Sequence, residues 1–157
     1  MSDMGTSVWA RDLWLARALC GLRPYVANQG LVLPKRIAVG VGQTAVCSNG
    51  RTALGECWPA DQSRDLPPHI VVSEVLNDPV RVLEVLTHEL IHASDDCMDE
   101  HGEWFQTWAR QLGLEGHPGT VSTPRLRRRL AVMVRSLGPY PPRTTGYVLS
   151  SEGHLVA

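Results

Sequence analysis

The residues with the clearest chemical pattern are His88, Glu89 and His92, which lie in the run DPVRVLEVLTHELIHASDD at 78–96. Two histidines four residues apart on a helix lie one turn apart on the same face, so both rings can reach one metal ion. Glu89 lies about 100° around the helix from His88, where its carboxylate can take a proton from a metal-bound water. The pattern therefore predicts a metal site with a general base. The alternative is a helix with two structural histidines.

A third protein ligand is expected, because zinc catalysts commonly use three and keep a fourth position open for water. Three residues soon after the helix could supply it: Glu100, His101 and Glu103. A polar linker can turn His101 back towards the two helical histidines, and Gly102 beside it would let the metal-binding helix approach closely. Glu103 would then point elsewhere and support the site from outside, although a glutamate ligand remains the alternative.

Other polar residues are weaker candidates for a role at the site. The linker between the two helices is acidic, and its carboxylates could orient the ligand imidazoles or could simply face solvent. These residues are Asp95, Asp96, Asp99 and Glu100. His69 precedes a predicted strand and has no partner pattern, so we interpret it as a strand-end residue.

The helix that carries the motif has clear boundaries and a predicted sheet before it. Asp78 and Pro79 are typical of an N-cap and a first helical position, and apolar residues then recur at helical spacing. Three strands are predicted, in the part of 31–41 after Pro34, at 52–58 and at 69–75. We expect these strands to form a small sheet packed on the helix.

Three further helices are predicted. The first covers 7–22, with an apolar stripe of Trp9, Leu13, Ala16 and Cys20 that Leu15 and Leu19 widen. The second covers 102–113 and ends at Gly113, and the third begins at Ser122-Thr123-Pro124 and ends near Leu137. Residues 143–157 look weakly ordered, so we expect one domain over 1–142.

The last helix is strongly basic on one face. Its apolar stripe leaves Arg125, Arg128, Arg129 and Arg135 on the other side, and the segment from Gly116 to Ser151 carries a local charge of +6 with no acidic residue. Such a face could hold a nucleic-acid backbone. The alternative is a solvated helix face whose arginines pair with the acidic linker.

Composition favours an ordinary globular protein. The chain has 157 residues, 43% hydrophobic and 20% charged, and its net charge of −1 provides no global attraction to nucleic acid or acidic membranes. We expect a cytoplasmic protein, since neither a secretory signal pattern nor a run of about eighteen apolar residues occurs. Among four cysteines without zinc-finger spacing, Cys47 and Cys57 could oxidise across a hairpin, but buried free thiols are the favoured interpretation.

Several motifs together resemble one family. HELIH at 88–92, a short acidic linker and then HGxxF at 101–105 are similar to SprT-like zinc metallopeptidases, the family related to Spartan. LGEC at 54–57 and HIVVS at 69–73 resemble the two strands before its zinc helix, and LGPYP at 137–141 looks most like phage-type or bacterial members. The resemblance covers roughly 54–140. Many such members carry a C-terminal zinc ribbon with two Cys pairs, and no Cys-x-x-Cys occurs here, so we expect no ribbon function.

The resemblance implies a zincin-like α+β domain that holds one Zn²⁺ through His88, His92 and His101, with Glu89 as the catalytic base. It also implies that the outer strand of the sheet binds the backbone of a protein or peptide substrate. We therefore expect a zinc-dependent endopeptidase, with Tyr140 or an arginine of the last helix as a candidate oxyanion donor. Two alternatives remain: a protease that acts on DNA-bound or crosslinked proteins, contacting nucleic acid through Arg125, Arg128 and Arg129, and a non-catalytic zinc-stabilised binding module.

Overall fold

The computed structural model describes residues 6–143 and two short strands near the C-terminus, with side chains from Ala10 to Arg143. The two strands, Val148–Leu149 (β6) and Leu155–Val156 (β7), pair with each other in antiparallel orientation. The predicted weakly ordered tail at 143–157 otherwise lies outside the described residues.

The central element is helix α2, Pro79–Ser94, which carries the metal-binding motif. It begins as predicted, because the Asp78 side chain accepts a hydrogen bond from Val80 N at 3.2 Å and Pro79 occupies the first turn. Eleven of its sixteen residues are buried: the continuous run from Val82 to Ile91, and Ala93. A helix buried on nearly every side must be enclosed by several other elements.

A three-stranded sheet covers one side of α2. Its strands are Ala38–Gly42 (β1), Gly55–Trp58 (β2) and His69–Ser73 (β3), in the order β1-β3-β2. β1 runs parallel to β3, whereas β2 runs antiparallel to it. Both β2 and β3 pack against α2. β2 therefore lies at one edge of the sheet, next to the helix that carries the histidines.

Helix α1, Thr6–Asn28, is longer than predicted and buries a different face. Leu15 and Leu19 are buried as predicted, but the rest of the described stripe is wrong: Leu13 is 63% exposed, and Ala16 and Cys20 are also exposed. The side chain of Trp9 lies outside the described residues. The buried face instead comprises Arg11, Trp14, Leu15, Ala18, Leu19, Leu22 and Val26. Continuing the helix past Gly21 and Pro24 adds Leu22 and Val26 to this face, and the burial of those two outweighs the helix-breaking tendency of Gly21 and Pro24.

The last two helices have the predicted boundaries within one or two residues. α3 covers Glu103–Leu112 and ends at Gly113, whose φ of 90° is a conformation that glycine adopts easily. α4 covers Pro124–Leu137 and is capped by Thr123, which accepts a hydrogen bond from Leu126 N. Between them, Leu114–Glu115 (β4) and Val121–Ser122 (β5) form a short antiparallel pair that is not among the three predicted strands.

Together these elements enclose one hydrophobic core around α2. The prediction of an α+β chain with a small three-stranded sheet on the motif helix is confirmed, while the zincin-like arrangement remains a prediction. None of the described helices is both long and apolar enough to cross a membrane.

Candidate metal centre

Three histidine side chains meet between α2 and the start of α3. The Nε2 atoms of His88 and His101 lie 3.1 Å apart, and those of His92 and His101 lie 3.2 Å apart. Nitrogens bound about 2.0–2.1 Å from a tetrahedral zinc ion would lie about 3.3 Å from one another. The three histidines could therefore hold a metal ion. Of the candidates for the third ligand, His101 joins this group and Glu103 does not.

The three rings are neutral at neutral pH, so their nitrogen lone pairs are available to a metal. Burial lowers the pKa of His88 to about 4. Burial, together with the two neighbouring histidines, lowers the pKa of His92 to about 3. Burial and the nearby His117 lower the pKa of His101 as well. Protons therefore compete with a metal for His88 and His92 only in distinctly acidic solution.

The orientation of His88 is fixed by the segment 113–122 between α3 and α4, which we call the α3–α4 loop. His88 Nδ1 lies 2.9 Å from the carbonyl oxygen of Gly119. Because a carbonyl can only accept, Nδ1 must carry the proton, and Nε2 keeps its lone pair for the metal site. The sequence contains no sign of this contact, since a backbone carbonyl in a loop has no side-chain signature.

The α3–α4 loop is held in place by Glu84, which lies one turn before the first histidine on α2. The Glu84 carboxylate accepts hydrogen bonds from the backbone N–H and the hydroxyl of Ser122. It also pairs with Arg81 at 2.8 Å, and Arg81 donates to the Thr120 carbonyl. Burial alone would raise the pKa of Glu84, but the hydrogen bonds from Ser122 and Arg81 lower it overall. Glu84 is thus a buried carboxylate that positions the loop.

Phe105 forms the floor of the site. Its side chain is fully buried, and its ring stacks on His92 with centroids 4.5 Å apart and an interplanar angle of 26°. Its centroid lies 4.7 Å from that of His88 and 4.9 Å from that of His101. Contact with all three rings restricts their rotation. In the sequence, only the resemblance of HGxxF at 101–105 pointed to Phe105.

The acidic linker, residues 95–102, turns the chain so that His101 returns to α2. Its carboxylates accept backbone N–H groups: Asp95 from Met98 and Asp99, and Asp96 from Ala60. Asp99 accepts from Phe105 N at 2.7 Å, at the start of α3. In the described contacts, Asp95, Asp96 and Asp99 thus bind backbone N–H groups and do not orient the imidazoles, which was one of the two possibilities for them.

Backbone geometry in the acidic linker also differs from expectation. Asp96, Cys97 and Glu100 adopt positive φ angles of 56°, 62° and 35°, which the carboxylate–backbone bonds nearby support. Gly102 is required by Asp99 rather than by the approach of α2, because a Cβ at Gly102 would collide with the Asp99 carboxylate. Glu100 alone of the four linker acids lines the cavity beside His101.

The histidines open into a cavity of about 370 Å³ between β2 and the acidic linker. Its lining residues are Gly55, Glu56, Cys57, His88, Glu89, His92, Cys97, Glu100 and His101. The side chain of Glu89 is buried, and among the described residues it accepts no hydrogen bond. Its carboxylate is therefore directed at the same space as the histidines, as the HExxH spacing predicted.

The position of Glu89 depends on a glycine in the neighbouring strand. A Cβ at Gly55 would lie 2.8 Å from Glu89 Oε1 and 2.6 Å from a methyl carbon of Val85, distances at which one of the groups must move. Burial, with a smaller contribution from Glu56, raises the pKa of Glu89 to about 8. A bound cation in the cavity would act in the opposite direction, because it favours the carboxylate. In the sequence, Gly55 stood out only as part of the LGEC resemblance at 54–57.

Two cysteines also line the cavity, although not the pair that the sequence suggested. The Cys97 thiol donates to the carbonyl oxygen of Cys57 at 3.4 Å, whereas Cys47 is exposed elsewhere. All four cysteines are free, and Cys20 is exposed like Cys47, so the expectation of buried thiols holds only in part for Cys57 and Cys97. Burial raises the pKa of both cavity thiols, which keeps them protonated at neutral pH.

Other predicted site residues lie away from the histidines. Tyr140 packs edge-on against Trp14 at 5.0 Å and lies under the Arg11 guanidinium. Arg11 in turn bonds the Glu74 and Leu76 carbonyls, just before α2 begins. Tyr140 is therefore near the N-terminal end of α2, whereas the histidines are in its later turns. It does not line the cavity, so its position does not support the predicted role as an oxyanion donor.

The predicted nucleic-acid contacts and His69 are also outside the cavity. Arg125, Arg128 and Arg129 are exposed on α4, and none of them lines the histidine cavity. His69 is exposed at the start of β3, paired with Ala38 and Trp58, which agrees with its interpretation as a strand-end residue.

Comparisons with known protein families, with curated proteins and with solved structures find no match for this chain. The resemblance to SprT-like peptidases therefore rests on the motif residues alone.

Changing His101 should remove the metal, whereas changing Glu103 should not. His101→Ala deletes one of three ligands, so the bound divalent metal per chain should fall sharply after gel filtration. Glu103→Ala is the matched control, because this residue is exposed in the first turn of α3. Elemental analysis of both variants tests the assignment, and loss of metal from Glu103→Ala with retention in His101→Ala would reverse it.

Removing Glu84 should weaken metal binding from a distance. Glu84→Ala releases the α3–α4 loop and with it the Gly119 carbonyl that orients His88. Loss of a group that orients a metal ligand typically lowers metal affinity by about 10–100-fold. Competition with a chromophoric chelator measures the affinity, and circular dichroism checks that the helices remain. Glu115→Ala, an exposed carboxylate of the same loop, should leave the affinity unchanged. Equal affinities for Glu84→Ala and wild type would contradict the positioning role.

Glu89→Gln should stabilise the metal-free protein more at pH 8 than at pH 5. The folded-state pKa of about 8 lies above the usual 4.5. As the pH rises between these values, only the unfolded chain releases its proton, so this group progressively lowers the stability of the folded state. The side-chain amide of glutamine does not titrate, so the variant does not lose stability in this way as the pH rises. Thermal unfolding of the metal-free wild type and variant measures the difference, and an identical difference at both pH values would refute the buried, proton-retaining carboxyl.

Proposed function

We propose that this protein is a zinc-dependent endopeptidase that cleaves protein or peptide substrates by activating a water molecule. The observation that carries the proposal is the shared cavity: the Glu89 carboxylate and the three histidine nitrogens face one open space. A purely structural zinc site usually closes with a fourth protein ligand. Here the described residues contribute three ligands, and the Glu89 carboxylate is not one of them.

The donor set suits zinc. Three neutral imidazoles at the observed spacing match tetrahedral coordination with one open position. When bound, zinc would supply Lewis acidity, lowering the pKa of a water in the open position and polarising a substrate carbonyl. The same three residues are those that the SprT resemblance assigns to zinc.

Glu89 would carry the proton transfers. Its carboxylate would accept a proton from the attacking water and then donate it to the amine of the leaving fragment. Burial among apolar neighbours raises its pKa towards neutrality, which suits a group that must both accept and release a proton. The close approach that Gly55 permits would hold this carboxylate against the cavity.

The edge strand β2 would bind the substrate backbone. One side of β2 is unpaired in the described sheet, and three of its residues, Gly55, Glu56 and Cys57, line the cavity. An extended peptide could add to this edge through main-chain hydrogen bonds and so bring a scissile bond beside the histidines. Trp58 and Met98, 59% and 80% exposed, follow the two cavity cysteines and offer apolar contact surface on either side.

Two variants test the proposal with zinc-loaded protein and a casein digestion assay. Glu89→Gln should keep one zinc per chain and lower the rate by about 10²–10⁴-fold, the usual contribution of general acid–base catalysis. Gly55→Ala should also keep zinc but lose activity, because its Cβ displaces Glu89. Gly42→Ala in β1, whose Cβ would make only an ordinary contact with Val71 at 3.4 Å, is the matched control.

The outcomes separate the proposal from its main rival. Chelator should abolish wild-type activity, and zinc should restore it. Full activity in a pure sample of Glu89→Gln would exclude Glu89 as the base. Wild-type protein that binds zinc tightly and yet cleaves neither casein nor a peptide library would instead indicate a zinc-stabilised binding module.

A further inference from the structure

A second cavity lies at the other end of α3 from the metal centre. It has a volume of about 250 Å³ and lies between the end of α1, the end of α3 and the start of α4. Its lining residues are Tyr25, Gln29, Arg110, Gln111, Gly113, Thr123, Arg125, Leu126 and Arg129. The cavity therefore has three cationic side chains and no acidic one.

The three arginines of this cavity lack ionic partners among the described residues. Other arginines nearby do pair: Arg81 and Arg127 both contact the Glu84 carboxylate. No such pair involves Arg110, Arg125 or Arg129 in the part of the chain that the structure describes. Three like charges around one space repel one another, and an anion between them would relieve this repulsion.

Contacts within the cavity position the guanidinium groups. Arg129 lies over the ring of Tyr25, with Cζ 4.5 Å from the ring centroid. The Tyr25 hydroxyl donates to the Leu112 carbonyl at 2.6 Å, which fixes the ring under the guanidinium. Arg125 lies one turn before Arg129 on the same helix, so both project to the same side as Arg110 of α3. A cation–π contact orders Arg129 while leaving its N–H groups free to donate.

The chemistry of the cavity favours a phosphate group over a carboxylate. Each guanidinium presents a planar set of N–H donors that fits two oxygens of an anion. A carboxylate has only two oxygens, which one or two arginines saturate, whereas a phosphate offers three or four oxygens and up to two charges. The side chains of Gln29, Gln111 and Thr123 add neutral polar groups to the same lining.

We propose that this cavity is a phosphate-binding site for a phosphoester, held by Arg110, Arg125 and Arg129. Two sources of the group share this chemistry: a small phosphoester and the backbone of a nucleic acid. Arg128 and Arg135 are exposed on the same helix but do not line the cavity. The site is built from residues other than the metal ligands, so it does not rest on the proposed peptidase function.

Two probes test the site in full-length protein with its metal bound. The first is inorganic phosphate, followed through the arginine Nε–Hε resonances in ¹H–¹⁵N spectra. The second is a fluorescein-labelled single-stranded 15-mer, followed by anisotropy at about 50 mM salt, where screening of surface charges is weak. Arg125→Gln should weaken binding by about tenfold, as expected for loss of a charged hydrogen-bonding partner. Arg125→Gln with Arg129→Gln should abolish it.

The matched control is Arg128→Gln. Arg128 has the same charge on the same helix and is exposed, but it does not line the cavity, so binding should stay within about twofold of wild type. For the 15-mer, the slope of log affinity against log salt should become shallower by about 0.7 for each cavity arginine removed. Because Arg129 packs on Tyr25, the single Arg125→Gln variant keeps the test valid if the double variant unfolds.

Each outcome decides the proposal. Saturable phosphate binding, with the 15-mer bound more tightly and displaced by phosphate, supports the site and indicates a nucleic-acid backbone. Phosphate bound as tightly as the 15-mer supports the site and indicates a small phosphoester. The proposal is overturned if neither probe binds at low salt, or if Arg128→Gln weakens binding as much as Arg125→Gln, since attraction would then be diffuse. Zinc content and peptidase activity should be the same in all these variants, so failure here is distinct from failure of the peptidase proposal.

Discussion

The burial of α2 on nearly every side is the constraint on which the metal centre depends. A polar side chain inside such a helix must find a partner or remain costly. Thr87 donates to the Leu83 carbonyl, Glu84 binds Ser122 and Arg81, and His88 donates to Gly119. Two of these three solutions use the α3–α4 loop. The loop that satisfies the buried helix therefore also sets the tautomer of the first metal ligand, so fold and site share the same hydrogen bonds.

Glu89 is the exception to this pattern, and the exception is informative. It is as buried as its neighbours, yet no described group donates to its carboxylate, and Gly55 leaves space in front of it. A protein that needed only a stable helix would gain by placing an apolar residue here. The free-energy cost of burying this carboxyl group is tolerable if the group is protonated in the metal-free protein or if a cation occupies the cavity. The unfavourable position of Glu89 is thus understandable as part of a site and hard to understand as part of a core.

The sequence was sufficient for features that depend on local chemistry. Capping residues predicted where α2 and α4 begin, glycine predicted the end of α3, and HExxH spacing with His101 predicted which rings meet. It was insufficient where distant segments decide the outcome. α1 has two overlapping apolar stripes, and only packing selects the one with Leu22 and Val26. The Gly119 carbonyl, 31 residues from His88, and the room that Gly55 leaves are properties of the folded backbone. The sequence also grouped Arg125, Arg128, Arg129 and Arg135 on one basic face, although among these four only Arg125 and Arg129 line a cavity.

The two candidate sites are at opposite ends of α3, and this separation limits how they can influence each other. His101 lies two residues before the helix and Arg110 lies near its end, and the seven helical steps from Glu103 to Arg110 alone separate the two ends by roughly 10 Å along the axis. That distance exceeds the Debye length of about 8 Å at physiological ionic strength, so direct electrostatic coupling between an anion and the metal would be largely screened. Any stronger coupling must pass through packing, and α3 provides a route: Phe105 contacts all three histidines, while Arg110 is on the same short helix five residues later. A ligand that shifted α3 would move the floor of the metal site, whereas one that bound without moving the helix would leave it unchanged.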